Sequence, residues 1–492
     1  MKQIWSLDTE DDSKGKVHLV TFDSGKFHTF RNPNDAINFI SQETSPIEIW
    51  ATNLAYDLTN LFQSHFNCLE ITYIKGRVIQ AKIKGTQITF KDTLNHWKIS
   101  VKEMGKRIGL EKIETDDFNN IEYNQRDARI TRLFVLSMKE KYESFGAKLK
   151  STIGSTALDL FYSRYYPKPK HSYFRDRDVD WMLGGYYGGR TEIFHTEPVR
   201  DTIHYFDFNS LYPSCMYQRD FPTVNRYGFR LGFNEDAEGI AEARVFVPRH
   251  TSIPYLPLRS ERGLIFPTGR FRGRWTHFEL REAQKHGVKI EKAYRSIEFS
   301  GTSRPFDNFV KDLYEKRLAA QSEKDQLMSD STKLILNNLY GKFAQGNEIT
   351  YLKPFDPKTL KQGDKIYGNL IIRDEIRNYP THTNVVWSAY VTAYGRDALH
   401  RALTTVQESG STLIYCDTDS IIFSGRTPFK SSNELGALKS EGSFNYAHFK
   451  LPKLYRLDGE KKFYKAKGVP KNFAEDFFEK GFAEFKRPNK LR

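Results

Sequence analysis

The sequence predicts a multidomain α+β protein, and three observations carry that expectation. The chain has 492 residues, enough to bury an ample core and to build two to four domains. Strand-like apolar runs end in carboxylates: Ile4-Trp5-Ser6-Leu7 leads into Asp8-Thr9-Glu10, and Leu413-Ile414 leads into Asp417-Thr418-Asp419. Helical spacing runs through residues 333–342, and a Pro- and Lys-rich stretch at 165–171 reads as a linker.

Composition narrows the partner. The net charge is +14 and the pI is near 9.3, which favours a polyanion, either nucleic acid or an anionic membrane. A mean hydropathy of -0.62, no apolar stretch near bilayer length and no signal-peptide pattern argue against the membrane. Aromatic residues make up 14% of the chain, which suits base stacking and equally a large core. Cys68, Cys215 and Cys416 are odd in number, far apart and outside any zinc spacing, so a reducing, cytosolic compartment is expected.

Along the chain, acidic residues come from separated segments. Asp8 and Glu10 end the first strand, Asn53, Tyr56 and Asp57 lie in a second segment, and Tyr123 and Asp127 in a third. Tyr123 and Asp127 are four apart, so a helix puts both on one face. Past the linker, Tyr186-Tyr187-Gly188-Gly189-Arg190 combines glycines that allow close backbone approach with a cation for phosphate. The aromatic strand 205–208 delivers Asp207, and Asn209-Ser210 opens a turn or helix start, with Pro213 in its first turn.

Residues 305–345 should be mainly helical. Lys333, Asn337 and Tyr340 or Gly341 fall at i, i+4 and i+7 or i+8, one face offering a cation, an amide and a ring beside open space. The Gly- and Pro-punctuated stretch from 341 to 390 is irregular. The hairpin 413–423 then presents Asp417 and Asp419, whose oxygens suit a hard divalent cation. The last 52 residues carry 13 Lys or Arg against 7 Asp or Glu, interleaved with Tyr455, Phe463 and Tyr464, as a nucleic-acid groove would require.

These motifs resemble, in order, those of family B DNA polymerases. Asp207 with Ser210-Leu211-Tyr212-Pro213, Lys333 with Asn337-Tyr340-Gly341, and Tyr415 with Asp417-Thr418-Asp419 match the three polymerase motifs. The amino-terminal carboxylates match the 3′–5′ exonuclease that precedes them. The resemblance implies an RNase H-like exonuclease domain over 1–160 and a linker with the Tyr-x-Gly-Gly element over 161–190. A right-hand polymerase domain over 191–492 follows. Its palm is expected at 191–304 and 386–440, fingers at 305–345, an insertion at about 346–385 and a small thumb at about 441–492.

The resemblance also assigns roles. Asp207 and Asp419, with Asp417 beside them, hold two Mg²⁺ or Mn²⁺ ions for nucleotidyl transfer. Asp8, Glu10, Asp57 and Asp127 hold two more for exonucleolysis, with Tyr123 orienting water. Ser210, Leu211, Tyr212, Lys333, Asn337, Tyr340 and Arg317 receive the dNTP. Asn53, Tyr56 and Lys112 hold the frayed 3′ end as single-stranded DNA. Tyr186, Gly188, Gly189, Arg190, Gly341, Thr392, Arg396, Lys453 and Tyr455 contact the primer-template. Asn338 departs from the family, which commonly carries Ser there.

Among polymerases, the stretch after Gly341 and Thr392-Ala393-Tyr394-Gly395-Arg396 resemble the protein-primed type of small phages and linear plasmids. That type implies strand displacement, a monomer, a terminal protein as primer and a bacterial host cytoplasm. No pattern over 215–305 marks the insertion that docks such a protein, so a nucleic-acid primer stays open. Two other readings remain: a nuclease whose carboxyl half binds DNA, and a non-catalytic DNA-binding replication protein.

Overall fold

The structure is a computed structural model that describes residues 2–482 apart from 13, 75, 262, 368 and 369. The expected thumb residues 483–492 lie outside the described residues.

The amino-terminal part runs β1 (Gln3–Asp11), β2 (Val17–Asp23), β3 (Phe27–Phe30), α1 (Pro33–Ser41), β4 (Ile47–Ala51), α2 (Leu54–Phe62), β5 (Leu69–Ile74), β6 (Arg77–Ile83), β7 (Ile88–Asp92), α3 (Val101–Ile108) and α4 (Ile121–Ser144). Strands β1, β4 and β7 are parallel neighbours, with β2 and β3 added antiparallel on one side. Helix α4 lies over β1 and β2. Asn120 starts it by accepting from the Tyr123 N–H at 3.0 Å, which fixes the turn that carries Tyr123 and Asp127.

Helices α5 (Ile153–Leu160) and α6 (Asp176–Leu183) follow. Phe161, at the start of the expected linker, is fully buried between Phe306, Phe309, Phe343 and Trp387. That stretch is therefore part of a core continuous from Trp50 and Phe134 to Trp387 and Val406, and not a loose tether.

Strands β8 (Thr191–Ile193) and β9 (Ile203–Phe208) and helix α7 (Leu211–Met216) come next. Then come β10 (Phe221–Pro222), β11 (Tyr227–Leu231), β12 (Glu238–Val247), β13 (Leu258–Ser260), β14 (Gly263–Ile265), β15 (Gly269–Thr276), α8 (His277–Lys285), β16 (Lys289–Phe299) and β17 (Thr302–Ser303). Strands β11-β16-β12-β15 form a separate antiparallel sheet backed by α8. In Gly269–Thr276, Arg270, Arg272 and Arg274 alternate with Phe271, Gly273 and Trp275, a strand period that the motif reading did not use.

Three helices follow: α9 (Asp307–Ser322), α10 (Gln326–Asn338) and the short α11 (Tyr340–Phe343). Strands β18 (Glu348–Pro354), β19 (Lys365–Tyr367) and β20 (Leu370–Ile376) then leave the region and return to the amino-terminal part. β18 pairs with β5, so the stretch expected as an insertion extends the amino-terminal sheet to ten strands. The chain closes with α12 (Val385–Glu408), β21 (Thr412–Asp417), β22 (Ser420–Ser424), β23 (Leu438–Phe444), β24 (Tyr446–Leu451), β25 (Leu454–Asp458), β26 (Lys462–Ala466) and α13 (Ala474–Lys480).

The buried helix α12 packs against β21, β22 and α7. A five-stranded sheet, β23-β9-β22-β21-β8, thus gathers pieces from two distant parts of the chain. Among the described residues no helix is long and apolar enough to cross a membrane, and the three cysteines are unpaired.

Candidate active sites

In the five-stranded sheet, Asp417 pairs with Ser420, which leaves Thr418 and Asp419 as a two-residue turn. Thr418 takes a left-handed conformation (φ 64), and its N–H donates to the Arg190 carbonyl at 2.7 Å. One strand over, Asp207 stands opposite Ser420, and the Phe208 N–H donates to the Asp419 carbonyl at 2.7 Å. Register alone therefore brings the 207 and 419 carboxylates together.

Electrostatics record that proximity. Burial, then Asp419 and Glu441, push the Asp207 carboxyl up to about 7, against Lys333 and Lys465. Burial, with Asp417 adding to it, also raises Asp419, against Lys453 and Lys465. Asp417 is spoken for: it accepts from Thr191 Oγ1 at 2.9 Å and from Lys453 Nζ at 2.5 Å. Lys465 is the basic residue that the carboxyl-end reading offered as a phosphate partner, whereas Glu441 was not singled out by sequence; it sits on β23, beside β9, where no motif points to it.

The face above these carboxylates is polar and aromatic. Ser210 is left-handed (φ 52), and Arg317 Nη1 donates to its Oγ at 2.8 Å, tying α9 to the turn after β9. The Tyr212 and Tyr340 rings lie 4.6 Å apart between centroids. A Cβ on Gly395 would meet Tyr212 at 3.1 Å, so α12 carries no side chain there. Ser388 Oγ holds the Tyr340 carbonyl at 2.6 Å. Lys333 is exposed, Asn337 half-buried, Leu211 buried, and Gly341 faces open space. Asn338 turns back onto its own helix, donating to the Leu334 carbonyl at 2.7 Å.

Several expected DNA contacts face inward, and their placement corrects the sequence reading. Arg190 is buried, with Nη1 on the Pro254 carbonyl at 2.8 Å, Nε on Glu192 at 2.7 Å and its guanidinium 4.2 Å from the Phe266 ring. Arg396 is buried on Glu279 at 2.6 Å and on the Tyr187 and Gly188 carbonyls at 2.8 and 2.7 Å. Thr392 donates within its own helix, and Tyr455 packs on Tyr415 and Phe449. A sequence shows residue type but not which partner claims it. These four are taken up inside the protein, while Gly188 is exposed and Tyr186 and Lys453 are half-buried. Gly189 lets the catalytic turn approach, since a Cβ there would lie 2.7 Å from Thr418 Cγ2.

The second centre lies at the amino-terminal sheet. Asp8 and Glu10 stand two apart on β1 and so share a face. Asp127 on α4 completes a trio whose ligand oxygens lie within 4.8 Å of one another. Asp57 stands outside the trio: it accepts from Thr9 Oγ1 at 3.0 Å, and Asn60 Nδ2 in turn donates to that hydroxyl at 3.0 Å. Its charge still reaches both Asp8 and Glu10.

Burial first, and Asp127, Glu10 and Asp57 next, hold the Asp8 carboxyl well above its ordinary range. Burial and Asp127 push Glu10 up to about 7. Asn124 Nδ2 donates to Asp8 at 2.7 Å. Lys112 donates to the Tyr123 hydroxyl at 2.8 Å and contacts Asp127, so it is the one nearby cation drawn into the cluster. Tyr56 donates to Asp11, a carboxylate that sequence alone did not select.

Asn53 is left-handed (φ 69) and starts α2. Its N–H and that of Leu54 donate to the two Asp92 oxygens at 3.2 and 3.1 Å. Asn53, Asp92, Leu94, Arg77 and Lys98 line a cavity of about 520 Å³. Asp92 was missed because it reads as an ordinary strand end.

Both carboxylate groups fit a hard divalent cation, whose oxygen preference matches the donors and whose charge relieves their mutual repulsion. Comparison with known proteins agrees with this geometry. The chain is 32% identical over 291 residues to the DNA-directed DNA polymerase of Enterobacteria phage PRD1, covering 56% of this chain and 49% of that one. It is 25% identical over 333 residues to the DNA polymerase of Bacillus phage phi29, covering 63% and 55%. It thus spans about half the length of these curated relatives.

The solved ternary complex of phi29 DNA polymerase with primer-template DNA and incoming nucleotide superposes with a TM-score of 0.78 at 18% identity, over 98% of this chain and 95% of that one. The chain therefore shares the multidomain α+β fold of that polymerase. Residues 111–420, well over half the chain, match the profile of DNA polymerase type B, organellar and viral, and the chain belongs to that family.

Proposed function

We propose that the protein is a DNA-directed DNA polymerase with a 3′–5′ proofreading exonuclease. The observation that carries this reading is the pairing of Asp207 with the Asp417–Asp419 turn, 2.7 Å backbone bonds fixing both sides, beneath a face that holds Lys333 and Arg317. Neither a nuclease nor a DNA-binding module has use for that second acidic centre.

Two divalent ions at each centre, Mg²⁺ or Mn²⁺, would supply Lewis acidity to the attacking and leaving oxygens. Asp207 and Asp419 would hold them at the synthetic site, and Asp8, Glu10 and Asp127, with Asp57 alongside, at the editing site. Lys333 and Arg317 bring positive charge to a triphosphate. The Tyr212 ring, packed on Gly395 and Tyr340, walls the sugar and excludes a 2′-hydroxyl. Gly341 leaves a flat slot for the nascent base pair, and Lys453 on Asp417 sets the primer strand. At the editing site Lys112 holds the Tyr123 hydroxyl ready to orient water. Asn53 lines the cavity that would take a frayed 3′ nucleotide, and Tyr56, in the first turn of α2 and bonded to Asp11, would stack on it.

The proposal extends to protein-primed, strand-displacing replication of a viral or plasmid genome by a monomer. Two features favour it: the ribbon Glu348–Ile376 laid against the amino-terminal sheet, and the additional sheet spanning Tyr227–Phe299. Primer extension on a gapped, labelled hairpin with Mg²⁺ tests the main reading. Extension with dNTPs and shortening without them support it; shortening under both conditions leaves only the nuclease.

A further inference from the structure

Helix α10 carries Lys333 and Asn337 and packs along α9, and its first two turns are also tied to the amino-terminal helices α3 and α4. Asp325 caps the helix, its Oδ1 accepting the Met328 N–H at 3.0 Å, while its Oδ2 meets Lys141 Nζ of α4 at 2.5 Å. One turn on, Asp330 is ion-paired with Arg107 of α3. Next to Asp330, Ser331 is buried with its hydroxyl 3.9 Å from the Met138 sulfur of α4.

The contact continues to the far end of the helix. A Cβ on Gly154 of α5 would lie 3.5 Å from the Asn338 carbonyl, so α5 lies close against α10 there. Both ion pairs are partly shielded, with side-chain exposures of 20% and 25% for Arg107 and Asp330 and 30% and 29% for Lys141 and Asp325. Asp330 also faces the Arg317 guanidinium electrostatically, and Arg317 in turn holds Ser210. A chain of contacts thus runs from the exonuclease helices through Asp330 to the arginine beside the motif that carries Asp207.

Resting on the polymerase reading above, we infer that Arg107 and Lys141 are positioning residues for nucleotide binding. By pairing with Asp330 and Asp325 they hold α10 at the angle where Lys333 meets a triphosphate. Neither residue touches substrate. The editing domain would thereby set the affinity of the synthetic site for its dNTP, and weakening the pairs would tip the enzyme toward degradation at low nucleotide.

Steady-state incorporation on a primed template, with dNTP varied, tests this in Arg107→Ala, Lys141→Ala and the swap Arg107→Asp with Asp330→Arg. A partly shielded pair predicts a KM for dNTP raised about fivefold, with kcat within about twofold, for each single change. Shortening without dNTPs should stay at the wild-type rate. The swap should restore KM where Arg107→Asp alone does not. A merely structural role would lower kcat and shortening together and would not separate them from KM. Unchanged KM in both alanine variants, or failure of the swap to restore it, overturns the inference. If the wild type incorporates no dNTP, the polymerase reading fails instead, and the two failures are distinct.

Discussion

Lys453 Nζ lies 2.5 Å from the Asp417 carboxylate, which ties the start of β25 directly to the turn that carries Asp419. Lys453 itself is left-handed (φ 66), and its N–H donates to the Tyr415 hydroxyl at 3.1 Å. The acidic turn and the start of β25 are thus one unit.

Lys453→Ala leaves the buried Asp417 without its cation. We expect a loss of about 1–3 kcal/mol in urea unfolding, because a shielded acceptor loses its partner. Extension should fall at least tenfold while shortening persists. Adding Asp417→Asn should recover stability but not synthesis.

Arg396 and Glu279 form a pair whose side chains are 4% and 1% exposed. Removing one partner strands a buried charge and should cost about 3–5 kcal/mol. Glu279→Gln and Arg396→Met made together should cost less than Arg396→Met alone, as read from denaturant midpoints.

Gly189→Ala forces a methyl to within 2.7 Å of Thr418 Cγ2. The turn must shift, so synthesis should drop by up to about a hundredfold, the scale on which an ångström of misplacement acts. Shortening should be untouched. Thr418→Gly in the same chain, which removes the opposing methyl and suits the left-handed φ, should restore part of the loss.

His96 and His400 predict acid lability. Each ring donates one N–H to a carbonyl, Lys150 at 2.9 Å and Ile253 at 3.0 Å, and each has a second nitrogen with no partner among the described residues. Burial lowers His96 to about 3 and His400 to about 4; Lys91 adds to the first, and His286, Arg190 and Arg401 to the second. Because the folded values lie below the unfolded one, this stability is complete above pH of about 6.5. It falls away as pH drops toward the folded values, on the order of 1–3 kcal/mol per ring. Urea midpoints at pH 7.5 and 5 should differ less in His96→Gln and His400→Gln than in wild type; an equal difference would contradict the assignment.

Much of both centres was legible because short motifs fix register. Two residues between Asp417 and Ser420 can only be a tight turn, and residues 8 and 10 of a strand share a face. What was not legible depends on packing between distant segments. Arg190 and Arg396 look like phosphate ligands until Glu192, Glu279 and backbone carbonyls are seen to occupy them. Glu441 and Asp92 enter the sites through strand pairing that no local pattern announces. The sheet spanning Tyr227–Phe299 was not read because period-two strands such as Glu238–Val247 do not say which strands they pair with, and Phe161 shows that a polar, Pro-rich linker can begin inside a core.

The central claim, two acidic centres with separate chemistries, is tested most directly by one paired assay on Asp419→Ala and Asp8→Ala. Each well-folded variant is given labelled primer-template and Mg²⁺, with and without dNTPs. The account predicts that Asp419→Ala shortens but does not extend, and that Asp8→Ala extends but does not shorten. Loss of both activities from either single substitution would contradict it.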